Sequence, residues 1–481
     1  VKKILNAFFP LYSATVLMLL GSGLLTTYIS LRLTAIHVSG ALIGAIIAAN
    51  YIGLVIGGKV GHFLIARVGH IRAYVACAGI ITAAVLSHGL TEYIPAWVVL
   101  RLIIGLCMMC QFMVLESWLN DQAESNQRGT VFGFYMAATY AGMALGQVVL
   151  MLQPELGLST LMIIALFFAL CLVPVALTTR SNAQQMSPAP MELKFFISSI
   201  PKILASTLVI GMIVGSFYGL APVYASLQSL STQETGLFMA LSIFAGLVAQ
   251  LPLSWLSDRY NRTLLLRINA LLLALTALPL ALVPHISFHF LLVLGFIVSM
   301  LQFTLYPLVV ALANDLIAPE RRVSLAACLL MSFGVGASIG PLAVGALIAP
   351  LGGNILYAFF SLCGLSLIAF SRTIKQDQDE FVNDAPVPHM AIPDSLVSSP
   401  LSPALNPSFD EQLIHDIMPP PINLKQKRNP QKTHLRVILN SNNTGDGMGS
   451  DGKKSSSRSQ TRRLRKTVAK TTKKNTEKRC F

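Results

Sequence analysis

Apolar residues run through this chain in long, nearly unbroken stretches. Twelve can be read, at about 8–29, 41–58, 73–90, 96–118, 131–152, 158–178, 203–227, 236–254, 264–283, 288–311, 323–349 and 352–371. A helix needs roughly 20 predominantly apolar residues to cross about 30 Å of hydrocarbon. Each run is therefore expected to be one membrane-spanning helix. The runs are rich in Leu, Ala, Gly and Ile, which suits helices packed in lipid. Ten-residue alternating strands, the mark of a membrane β-barrel, are missing. The predicted fold is an all-α membrane protein with twelve transmembrane helices.

Composition agrees. Of 481 residues, 54% are hydrophobic and 12% charged, against about 25% charged in a soluble domain. The start, Val-Lys-Lys before an apolar run, reads as a retained first span rather than a cleaved leader. The formal charge of +14 changes the picture through its location. From Lys425 to the end there are 17 Lys and Arg against 3 Asp and Glu, so the body is neutral and the tail basic. Residues 373–481 lack any apolar periodicity and are expected to be a disordered basic tail. Such a tail suits membrane lipids, anionic lipid in particular, or an acidic partner; no specific nucleic acid is expected.

Loop charges give orientation. With the N-terminus inside, sixteen Lys and Arg of residues 1–375 fall in inner segments, and Arg32 alone in an outer loop. The positive-inside rule then places both termini in the cytoplasm; the cytoplasmic (inner) membrane is the expected location.

The chain also repeats. An offset of 194 carries Gly21 to Gly215, Asn120 to Asn314, Asp121 to Asp315, Arg128 to Arg322, Gly142 to Gly336 and Gly146 to Gly340. Six spans per copy make the copies parallel. The expected organisation is a six-helix half over 1–178, a cytoplasmic linker over 179–202, a second six-helix half over 203–372, and the tail.

Six cysteines lie inside apolar runs, and Cys107 and Cys110 have the spacing of a redox or zinc pair. Without acidic or imidazole neighbours they read as small buried hydrophobes. No cofactor is expected. No HExxH, GxSxG or GxxxxGK[ST] pattern occurs, so an enzyme and an ATP-driven pump are both disfavoured.

Two parallel six-span halves resemble the major facilitator superfamily (MFS). The segment SWLSDRYNRT, residues 254–263, resembles that family's Gly-x-x-x-Asp-Arg-x-Gly-Arg-Arg loop, keeping Asp258, Arg259 and Arg262. The first copy keeps Arg67 and Gly69 but has Ala66 in the aspartate's place. Arg101-Leu-Ile-Ile-Gly105 is similar to the family's Arg-x-x-x-Gly element, and Glu116-Ser-Trp-Leu-Asn120 looks like the bacterial YcaD-type branch. Gly336–Pro341 is similar to the family's Gly-x-x-x-Gly-Pro element. Drug/proton antiporters carry that element in span 5, where Gln147 here replaces the proline. The resemblance covers residues 1–372. It implies a secondary transporter, symport or antiport, working by alternating access on a small-molecule substrate, with the proton as coupling ion.

Polar residues that recur in both copies serve the halves alike and read as a cytoplasmic gate: Asp258, Arg259, Arg262, Arg67, Arg72, Asp121, Asp315, Arg128 and Arg322. Plain topology signalling is the alternative. Residues that break the repeat read as substrate or coupling groups. Arg101 and Glu116 share one face of span 4 with Gly105, Met108 and Phe112. An arginine inside a span is costly and normally faces a partner or a water-filled cavity. Glu116, the acid within a span, is the default proton carrier or else a gate salt bridge with a loop arginine such as Arg72. Span 10 adds Ser299, Gln302 and Tyr306, span 1 Tyr12 and Thr26, and span 7 Tyr218, all equally able to make ordinary interhelical hydrogen bonds. A transporter-like sensor or scaffold signalling through the tail is the alternative function.

Overall fold

The structure is a computed structural model that describes residues 2–123, 127–177, 192–257, 259–318 and 321–371. The basic tail, Asp258 and most of the linker lie outside the described residues. Among the described residues all regular structure is helical. The first copy of the repeat supplies α1 (Lys2–Ala35), α2 (Gly40–Val68), α3 (His70–Leu90), α4 (Ile94–Gln122), α5 (Arg128–Leu152), α6 (Leu158–Leu170) and α7 (Leu172–Ala176). A short helix α8 (Leu193–Ser199) precedes α9 (Pro201–Leu227), α10 (Thr232–Ser257), α11 (Arg262–Leu282), α12 (Phe288–Leu316), α13 (Arg322–Leu351) and α14 (Ile355–Ser371).

Among the described residues, eleven helices are long and apolar enough to cross a membrane, α6 and α7 counting as one. The apolar α14 has 17 residues, at the short end of what a span needs. The chain is an integral membrane protein. Two details differ from the reading of the sequence. The sixth run is interrupted at Cys171. Pro174 has no N–H to donate and its ring crowds the carbonyl of Leu170, where α6 stops. The linker is not plain loop throughout, because Leu193-Lys-Phe-Phe-Ile forms α8 and buries Phe196. Arg321 lies 4.1 Å over the Phe195 ring and 3.5 Å from Glu192, fastening this helix to the start of α13.

Glycines set the closest crossings. A Cβ on Gly142 or Gly146 of α5 would crowd the carbonyl oxygens of Val16 and Leu20 in α1. Their counterparts Gly336 and Gly340 of α13 stand in the same relation to Leu208 and Met212 of α9. The recurrence of these glycines in sequence thus has a steric reason: in lipid, small residues let backbones approach.

Helix α2 packs along α13, and α5 along α10. A Cβ on Gly44 would strike the Pro341 carbonyl oxygen, and one on Gly40 would crowd that of Gly345. Ser30 of α1 donates to the Gly219 carbonyl oxygen of α9 at 2.7 Å. These contacts lie toward the helix ends marked by Ala35, Gly40, Leu227 and Leu351. That end of the bundle is closed between the two copies.

Candidate functional site

The crossing of α2 and α4 builds the first site. Gly105 has no side chain, so the backbone of Asn50 comes into direct contact with it. This brings Asn50 and Tyr51 of α2 beside Arg101, one helical turn before Gly105. Arg101 lies seven residues into α4, about 10 Å from its end at 1.5 Å per residue. It is 2% exposed. Its Nη2 donates to Thr26 Oγ1 of α1 at 3.3 Å, and its charge falls within Coulombic reach of Tyr51. Its Nε makes no hydrogen bond within the protein. Among the described residues no carboxylate pairs with it.

Thr26, Asn50 and Tyr51 also line a cavity of about 40 Å³, together with Met108, Gln147 and Tyr218. Its walls come from α1, α2, α4 and α5 of the first copy and from α9 and α10 of the second. Gln147 donates from Nε2 to the Gly23 carbonyl oxygen at 3.1 Å, which pins α5 to α1 at this depth. A water needs about 10–15 Å³ on this measure, whereas sites for drug-sized ligands run to roughly 300–1,000 Å³. The cavity therefore has room for a few waters and not for a drug-sized ligand.

Tyr218 packs at a tilt against Phe303 of α12 with ring centroids 5.5 Å apart. Ser299, Gln302 and Tyr306 are buried on α12 but do not line the cavity. Neither amide atom of Gln302 has a hydrogen-bond partner within the protein, and Tyr306 packs edge-on against Phe333 at 5.0 Å. Tyr12 donates to the Val131 carbonyl oxygen at 3.0 Å, an α1–α5 tie well away from Arg101.

Glu116 is fully buried and accepts a hydrogen bond from Tyr135 of α5 at 3.0 Å. It shares α4 with Arg101 but lies fifteen residues on, about 22 Å along the axis. The two do not form one site. Arg72, offered as a partner of Glu116, is exposed at the start of α3.

The charges at the far edge of the bundle separate into two kinds. Asn261 takes the place of the loop glycine and caps α11, its side-chain oxygen accepting from the Thr263 and Leu264 amides at 2.9 and 3.1 Å. Arg262 opens α11 and turns inward. It is 3% exposed, pairs with Asp315 near the end of α12, and donates from Nε to Ser257 Oγ at 3.2 Å and from Nη1 to the Ala311 carbonyl oxygen at 3.3 Å. Arg322 of α13 is buried and adds a second positive charge near Asp315. Arg259 instead lies over the Trp255 ring at 4.1 Å, on the surface. Arg67 and Asp121 are exposed. Asp258 and the side chain of Arg128 lie outside the described residues.

Reading the sequence did not single out His70, whose Nε2 lies 3.2 Å from Ser117 Oγ. The signal was present, since His70 occupies the loop pattern's arginine position, as Arg262 does in the second copy. Tyr135, Tyr51 and Gln147 were missed as well, and nothing in the one-dimensional pattern pointed to their partners.

The described residues form a helical membrane bundle with a small cavity where the two six-span copies meet. The sequence profile of the Major Facilitator Superfamily matches residues 11–327, and the chain belongs to this superfamily, a family of transporters rather than enzymes. It is similar to YcaD of Escherichia fergusonii, described as an uncharacterised MFS-type transporter, with 28% identity over 355 residues, or 72% of this chain and 90% of that one. YcaD of Escherichia coli K12 / DH10B is 27% identical over 357 residues, again 72% and 90%. Among solved structures, the nucleoside transporter NupG superposes with a TM-score of 0.66 at 19% identity, covering 77% of this chain and 100% of its own. A D-xylose–proton symporter gives 0.63 at 17%, covering 76% and 97%. At these identities the structural likenesses show the fold alone.

Proposed function

We propose that the protein is a secondary active transporter that moves a small organic solute across the cytoplasmic (inner) membrane by alternating access, coupled to protons. The observation that carries this reading is the position of the cavity. It lies between spans of both copies, walled by α1, α2, α4 and α5 on one side and α9 and α10 on the other, with the bundle sealed above it by Ser30, Gly40 and Gly44. Rocking of residues 203–372 against residues 1–178 would open that seal while closing the opposite edge. The nucleoside and D-xylose named for structural neighbours set the scale of the solute, and the neighbouring D-xylose–proton symporter supports a proton as driver.

Thr26, Tyr218 and Arg101 form the solute site, and Glu116 carries the proton. Arg262, Asp315 and Arg322 belong to the gate at the cytoplasmic edge, where the loop charges place both termini. In proteoliposomes, an imposed pH gradient should drive accumulation by the wild type. Glu116→Gln keeps an acceptor for Tyr135, so it should abolish gradient-driven accumulation yet retain solute exchange at equilibrium. Accumulation surviving in Glu116→Gln would remove Glu116 from the coupling step.

A further inference from the structure

We infer that the solute is an organic anion, a carboxylate with a compact apolar body, whose charged group is held by Arg101. This rests on the transport reading above and adds the chemical class of what is carried.

The argument starts from electrostatics. A guanidinium cannot shed its proton in a protein, so Arg101 keeps its charge wherever it is placed. Burying that charge costs several kcal/mol unless a counter-charge or a full set of hydrogen bonds answers it. Among the described residues Arg101 has neither, with one long bond to the Thr26 hydroxyl and a buried Nε that donates to none of them. The edge that carries Nε and a terminal nitrogen is the fork that takes a carboxylate through two parallel hydrogen bonds.

The cavity supplies the second observation. Arg101 is not itself a wall of the cavity, but Thr26, which accepts from its Nη2, and Tyr51, which feels its charge, both are. The guanidinium therefore lies one side chain behind the lining, and a turn of the Thr26 side chain would bring it to a solute there. Among the described residues lining the cavity none is acidic. A cationic solute would face Arg101 with no counter-charge, and a neutral one would leave the buried cation unanswered. An anion resolves both.

The rest of the lining describes the remainder of the solute. Met108, Met143 and Met239 come from three different helices, and thioether side chains adapt to varied apolar shapes. Tyr218 offers an aromatic face on the second copy's side. Opposite, Asn50 Oδ1 and Gln147 Oε1 have no partner within the protein, and these amide ends suit a hydroxyl or amino substituent on the solute.

The test uses the full-length protein and two matched probe sets: 3-phenylpropionate, 3-phenylpropionamide and 3-phenylpropylamine, and isobutyrate, isobutyramide and isobutylamine. Binding is read by titration calorimetry and thermal unfolding in detergent, flux by currents or tracer exchange in proteoliposomes. The expected result is that carboxylates bind and the matched amides and amines do not. Arg101→Gln should weaken carboxylate binding about tenfold or more, the size of one charge-assisted bond. Arg101→Lys, which keeps the charge but loses the fork, should bind more weakly while still preferring carboxylate to amide. If Arg101→Gln fails to fold, the wild-type preference and its survival in Arg101→Lys decide the matter. Binding of amides or amines as tight as that of carboxylates overturns the inference, as does equal binding by Arg101→Gln or silence across both sets. The two readings fail separately. Arg101-dependent carboxylate binding without flux would overturn transport and keep the anion site, whereas flux of amides regardless of Arg101 would do the reverse.

Discussion

The ends of α10 and α12 and the ends of α2 and α4 occupy matching places in the two copies of the repeat, yet they are held differently. In the second copy Arg262 enters the bundle and ties two helix ends through three groups, Ser257 at the end of α10 and the Ala311 carbonyl and Asp315 carboxylate of α12. Cations are favoured at helix C-termini, where carbonyls lack partners, so the arginine answers both the two helix ends and the acid. In the first copy His70 takes the arginine's place and reaches Ser117, while Asp121 stays exposed. The turn there is made by Gly69 at φ 87°, which favours glycine. In the second copy it is made by the capping Asn261. A charge that recurs in sequence therefore need not recur in role. What matters is whether the chain carries it into the bundle.

The largest expected effect follows from removing one member of the buried pair. Arg262→Ala leaves Asp315 with the Arg322 charge but no hydrogen-bonded partner among the described residues, and two helix ends without their donor. It should destabilise the protein by about 3–5 kcal/mol, as breaking buried pairs does. Thermal or denaturant unfolding in detergent would show it. The double change Arg262→Met with Asp315→Leu should recover much of that loss, because similar-sized apolar side chains often replace a buried pair at little net cost. A double variant as unstable as Arg262→Ala would mean that the helix-end carbonyls, or buried Arg322 deprived of Asp315, outweigh the Arg262–Asp315 pair itself.

A smaller effect compares the two acids directly. Asp315→Asn keeps an acceptor for Arg262 but removes the negative charge that faces Arg262 and Arg322. A loss of about 1.5–3 kcal/mol is expected, the range for hydrogen bonds to charged groups. Asp121→Asn, at its exposed counterpart, should stay within about 0.5 kcal/mol. Equal losses at the two positions would contradict the asymmetry seen between the edges.

The contrast between the copies also shows what a sequence can reveal in a membrane protein. Spans announce themselves because lipid forces every residue of a crossing helix to be compatible with it, so eleven of the twelve runs appear as full-length spans. Arg101 and Glu116 stood out for the same reason, since ionised groups are rare against that background. Their partners did not stand out. Tyr135 of α5 meets Glu116, and Tyr51 comes within Coulombic reach of Arg101 beside the α2–α4 crossing at Gly105. A helix that is apolar all round gives no periodic signal of which face meets which neighbour. The helix α8 escaped notice for a different reason, being a few apolar residues inside a segment whose Ser-Pro-Ala-Pro stretch reads as loop.

The finest test builds the second copy's residue into the first. His70→Arg restores the arginine of the loop pattern at the first residue of α3, two residues past the end of α2 and facing Ser117 and Asp121 of α4. If the difference between the edges were one of residue identity alone, the new arginine would pair with Asp121 and stabilise the protein by several kcal/mol. The structure argues for a much smaller change. Asp121 is exposed whereas Asp315 is 13% exposed, and an ion pair in contact with water contributes about 0–1 kcal/mol. Thermal unfolding of His70→Arg should therefore stay within that range of the wild type, and the gain should shrink further in salt, which screens exposed pairs. A large, salt-insensitive gain would show that α2 and α4 can enclose an arginine as α10 and α12 do, and would trace the asymmetry to the residue at position 70 rather than to the packing around it.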